Sequence, residues 1–81
     1  MNSNPHAAEF TIAVTEEGGI WIAECDAIGL VTEAAGFEAL TRRVWEIAPE
    51  LAELNGYIID AGSLRLRFEH LETAPHSLSA H

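Results

Sequence analysis

Apolar and polar positions alternate strictly over "FTIAVT", residues 10–15. Phe10, Ile12 and Val14 share one side, and Thr11, Ala13 and Thr15 share the other. That is the period of a half-buried strand. "EEGG" at 16–19 carries the residues of a tight turn, and "IWIAEC" at 20–25 reads as the returning strand. With Glu17 and Gly18 as the loop, Val14 would stand across from Trp21 and Ile12 across from Ala23. The inner face then collects Phe10, Ile12, Val14, Trp21, Ala23 and Cys25. Ile20 and Ile22 fall on the outer face, where water is expected.

"DAIG" at 26–29 reads as a turn opened by Asp26, with Gly29 serving the bend, and "LVTEA" at 30–34 as a third short strand. A helix should begin near Gly36 or Phe37. Phe37, Leu40, Val44, Ile47, Leu51 and Leu54 then step by three and four, which gives one apolar stripe. Glu38 and Arg42, four apart, support the exposed side. Asn55-Gly56 is a usual helix stop. Pro49 removes one helical hydrogen bond, but the stripe stays in phase through it. A kinked helix is expected rather than two helices. After the connection "NGYIIDAGS", the run "LRLRFEH" alternates again, with Leu64, Leu66 and Phe68 inward and Arg65, Arg67 and Glu69 outward.

The order β-β-β-α-β predicts an α+β domain, a small mixed sheet with one long helix on one face. The last strand is expected to lie parallel beside the first through a right-handed crossover. The expected core is Phe10, Ile12, Val14, Trp21, Leu40, Val44, Ile47, Leu51, Leu54, Leu64, Leu66 and Phe68. On that reading Leu51→Ala costs about 2–5 kcal/mol. Residues 8–70 form the domain, with loose ends at 1–7 and 71–81. Nothing in the sequence offers a layer for the outer sheet face. Ile20 and Ile22, with Arg65 and Arg67 beside them, mark it as a partner or homodimer interface.

Charge narrows the partners. The 81 residues carry 13 Asp and Glu against 4 Lys and Arg, a net charge of −9. Every basic residue is an arginine: Arg42, Arg43, Arg65 and Arg67. Phosphate backbones and anionic lipid both require positive charge, so direct nucleic-acid or membrane binding is not expected, whereas a basic protein would be attracted. No apolar run approaches a membrane span, and the start "MNSNPHAAEF" has no basic-then-apolar leader. A single cysteine, Cys25, fits a reducing cytoplasm and reads as a small buried apolar side chain.

Candidate chemistry is sparse. His6, His70, His76 and His81 have no partners at metal-ligand spacing, and Gly18-Gly19 lies in a hairpin rather than at a helix start. The carboxylates Glu16, Glu17, Glu24, Asp26, Glu33 and Asp60 are not directed at one place by the pattern. No catalytic group, metal or cofactor is expected, and no nuclease activity. Glu33 stands just before the helix, where a carboxylate can meet the free N–H groups of the first turn; it is expected to cap the helix.

The stretch "GGIWIAECDAIGLVTEA", then Leu40, "IAPEL" and "LNG", resembles the HicB-like proteins, and among them the small bacterial DUF1902 group. The resemblance spans roughly residues 10–69. It implies a truncated RNase H-like fold with the same β-β-β-α-β core. It also implies an antitoxin that binds and masks HicA, a small basic RNase. Relatives often carry Asp-Thr where this chain has Gly36 and Phe37, so the usual N-cap is missing. Antitoxins of this kind commonly carry a DNA-binding module after the domain. "HLETAPHSLSAH" is too short for one, so autoregulation by this chain alone is not expected.

Three readings follow. The first is a non-enzymatic antitoxin-type module that masks a basic toxin. The second is a stand-alone homo-oligomeric module, with a small ligand or none. The third is a nuclease. A neighbouring gene for a small basic protein separates the first two, and metal-dependent cleavage lost with one carboxylate would identify the third.

Overall fold

The computed structural model describes residues 8–72; the loose end expected at 1–7, and all but Leu71 and Glu72 of the one expected at 71–81, lie outside them. Strand β1 runs Ala8–Glu17, β2 Ile20–Cys25 and β3 Leu30–Ala34; helix α1 runs Phe37–Leu54, and β4 runs Leu64–His70. The sheet order is β3-β2-β1-β4, antiparallel except for the parallel β1–β4 pair. This is the expected α+β arrangement of a four-stranded mixed sheet and one long helix, with β4 returning beside β1.

The hairpin register differs from the expected one by two residues. Val14 stands across from Ala23 and Glu16 across from Trp21, and the loop is Gly18-Gly19. Both loop glycines have positive φ, 59° and 88°. A two-residue hairpin turn of this hand needs that at both positions, and only glycine takes it without strain. Glu17 in the loop would be strained. Because the slip is two residues, every side chain keeps its face. Phe10, Ile12, Val14, Ala23 and Cys25 are buried on the inner side, while Trp21 is half-buried.

The 3-10 turn at Asp26–Ile28 ends on Gly29 at φ 66°. That turn drops Ile28 into the core at 0% exposure, followed by Leu30. Neither stands in the expected core. Helix α1 starts from Gly36 with no side-chain cap and passes through Pro49 as one element. Its end is closed fully. The Gly56 N–H donates to the Glu53 carbonyl and the Tyr57 N–H to the Ala52 carbonyl, the two bonds of a glycine-stopped helix terminus. The Asn55 side-chain amide also donates to the carbonyls of Leu51 and Ile28, which ties the helix end to the β2–β3 turn.

The buried stripe of α1 is Leu40, Val44, Ala48 and Ala52. Each step of four overshoots one turn by about 40°, so the stripe winds round the helix. Ile47 and Leu51 are left half-buried at its margin, and Leu54 is 75% exposed. Leu54 is therefore not a core residue. Two alanines take the place of the larger side chains expected there, and they let the C-terminal half of α1 lie close to the sheet. Leu64 is buried, while Leu66 and Phe68 are half-buried.

Candidate functional site

The register fixes which side chains share the open, outer sheet face. Ile22 pairs with Thr15 and Glu33, Ile20 with Glu17, and Glu24 with Ala13 and Val31. On the other side Arg65 pairs with Glu9, Arg67 with Thr11, and Glu69 with Ala13. Ile20 is 41% exposed, Val31 is 71% exposed and Ile22 is half-buried. The structure thus places Ile20, Ile22, Arg65 and Arg67 on one face, but not as one cluster. The isoleucines and Val31 lie on the β2–β3 half among carboxylates, and the arginines lie on β4. Val31, in the middle of an apolar run, gives no sign in the sequence of being so open.

Arg67 Nη2 donates to Glu9 Oε2 at 2.9 Å. This is the one ion pair among the described residues, and both partners are exposed, so its contribution is about 0–1 kcal/mol. Arg65 lines a shallow cleft of about 280 Å³ with Ala8, Glu9 and Ser63.

Glu33 does not cap the helix. The N-cap position is Gly36 and no side chain bonds there. Alternation along β3 sends Thr32 and Ala34 toward the helix side and Glu33 to the opposite face, across from Ile22. With Ala34, Ala39, Arg42, Arg43 and Glu46, Glu33 lines an open cleft of about 310 Å³ beside the β3 edge. Arg43 Nε donates to Thr32 Oγ1 at 3.1 Å across that edge. Glu33→Gln is therefore expected to move denaturant stability by less than about 0.5 kcal/mol, whereas loss of a true cap costs about 1 kcal/mol.

All 13 carboxylates and all four arginines are exposed. Among the described residues, no buried side chain is polar or charged and no buried polar side-chain atom lacks a partner. Nor does any group of three His, Cys, Asp or Glu stand close enough to hold a metal ion among them. Cys25 is a buried free thiol. No helix of the described residues is long and apolar enough to cross a membrane. The chemistry on display is that of a surface: exposed carboxylates, a few arginines, and apolar side chains on both sides of the sheet.

These features define a small acidic α+β protein built from a four-stranded mixed sheet and one long helix. The chain belongs to the DUF1902 family, described as a domain of unknown function, whose model matches residues 9–78. It is also similar to a solved structure, the hypothetical protein TTHA1013 from the extremely thermophilic bacterium Thermus thermophilus. The two share 32% sequence identity with a TM-score of 0.70, over 84% of this chain and 99% of that one. No curated protein matches.

Proposed function

We propose that this chain is a non-enzymatic module that binds and masks a small basic protein, in the manner of a HicB-like antitoxin on a HicA-like toxin RNase. The observation that carries the reading is the charge distribution. Thirteen carboxylates are exposed, and one of them is engaged in an ion pair among the described residues. A surface of that kind steers a cationic partner and sets register on it, and does so most strongly at low salt. The motif likeness to HicB-like proteins, with the truncated RNase H-like core that this likeness implies, supports it. The chain performs no cleavage of its own and acts in the cytoplasm. The direct test is co-expression with the small basic protein encoded beside it. Growth arrest by that protein should be relieved by this chain. Absence of such a neighbour, or arrest that persists, would count against the reading.

A second reading is favoured by the open sheet face. Ile20, Ile22 and Val31 occupy one half of it, and Arg65 and Arg67 the other. A two-fold axis parallel to the strands lays the β4 half of one copy over the β3 half of another, so one patch serves both partners. In this reading the chain is a homodimer. Ile22→Lys should then weaken self-association about tenfold while preserving secondary structure. Sedimentation of the unaltered chain as a monomer at high micromolar concentration would exclude it.

A further inference from the structure

The helix covers only part of the inner sheet face. Four strands spaced at about 4.8 Å span roughly 15–19 Å, while a helix with its side chains is about 10–12 Å across. One helix therefore leaves room beside it. Here α1 lies over β3 and β2. Two contacts fix its orientation. Arg43 on one flank reaches Thr32 of β3, and Phe37 on the other flank meets Phe68 of β4, with ring centroids 6.2 Å apart. Among the described residues, the uncovered strip is thus the β4 side.

Aromatic side chains stand there in place of a second helix. Trp21 lies 5.6 Å from Phe37 and 5.0 Å from His70 by ring centroids. At the lower end Tyr57 stands edge-on to Phe10 at 4.9 Å, so the connection after α1 closes that end. The upper part stays open. Phe37 is 41% exposed and Trp45, about two turns further down the same flank, is 43% exposed. Leu66 and Phe68 beneath them are half-buried. An aromatic shelf of this kind, bounded by a helix wall and an edge strand, marks an association site.

Charge selects the occupant. None of the four arginines is on the shelf: Arg65 and Arg67 face the other side of the sheet, and Arg42 and Arg43 line the cleft at the β3 edge. The exposed carboxylate Glu16, across from Trp21, stands at its upper end. We infer that the shelf between α1 and β4 docks a basic amphipathic helix of a partner protein, its apolar side on Phe37, Trp45, Leu66 and Phe68 and its cationic side toward Glu16 and the acid-rich surface of the chain. The strip has the width of one helix, and aromatic faces add attraction for Arg and Lys side chains. The inference rests on the proposed binding of a basic partner and names where that partner sits.

The test uses the full chain and a synthetic amphipathic peptide of about five helical turns, with leucines on one side and lysines on the other. A matched peptide carries glutamate in place of lysine. Tryptophan fluorescence should change saturably with the lysine peptide, and the glutamate peptide should bind at least about tenfold more weakly. Phe37→Ala and Trp45→Ala should each weaken binding about tenfold, with circular dichroism confirming that the fold is kept. Thr11→Ala, on the opposite face, should have no such effect. Absence of saturable binding, equal binding of the two peptides, or unchanged affinity in both shelf variants would overturn the assignment. So would self-association of the chain that disappears in Phe37→Ala, which would make the occupant a second copy. A Phe37→Ala, Trp45→Ala chain that still neutralises its basic neighbour would overturn this surface and leave the masking function standing.

Discussion

Leu40→Ala is expected to remove about 2–5 kcal/mol of stability, enough to leave much of a domain this small unfolded at ambient temperature. Leu40 is 0% exposed in the buried stripe of α1, where the helix meets the sheet. The loss combines the transfer energy of the side chain with the cavity it leaves, because the surrounding strands hold that cavity open. Leu51→Ala, which the spacing alone marks as equally severe, should cost distinctly less, since Leu51 is half-buried at the stripe margin. Urea melts of the two variants check the order. A fall in midpoint at unchanged slope would report stability alone. Equal losses at the two positions would mean that the stripe runs through Leu51 after all.

Ala48→Leu should destabilise by about 1–3 kcal/mol, although it adds apolar volume and replaces one strong helix former with another. Ala48 is 1% exposed and Ala52 is 0% exposed. Interior density leaves no room for extra methylenes without off-rotamer side chains or a shifted helix. The same substitution at Leu54's level of exposure would be close to neutral. A thermal melt showing Ala48→Leu as stable as the unaltered chain would mean that α1 stands further from the sheet than its buried alanines imply.

Those alanines show where the sequence is legible and where it is not. Strand β4 can be read directly, because "LRLRFEH" alternates without interruption, with Leu64 buried and Leu66 and Phe68 half-buried on the inward face. The parallel return beside β1 follows from chain order and handedness. The helix stripe is legible in its first half, where Leu40 and Val44 are large. It then passes to Ala48 and Ala52, which a search for large apolar residues overlooks, while spacing alone draws Leu54 into the core. The hairpin register turns on which pair can take positive φ. "EEGG" offers that choice, and Gly18-Gly19 satisfies it at both positions.

The surfaces are legible to a lesser degree. Ile20 and Ile22 fall correctly on the outer face because that depends on parity, which a two-residue slip preserves. Glu33 goes the other way. Its nearness in sequence to the helix start suggests capping, while strand alternation turns it to the far side of the sheet. The aromatic shelf is not visible in the sequence at all. Phe37, Trp45 and Phe68 come from separate parts of the chain, and only the lateral offset of α1 toward β3 leaves them open together.

The most direct test of masking is made with purified components. A small basic protein encoded beside this chain, where there is one, is assayed for cleavage of RNA, alone and with increasing amounts of this chain. The account predicts that cleavage falls to background near equimolar addition, that inhibition weakens as salt is raised, and that this chain alone leaves RNA intact with or without divalent metal. Undiminished cleavage at excess, or metal-dependent cleavage by this chain that is lost on changing one carboxylate, would contradict it.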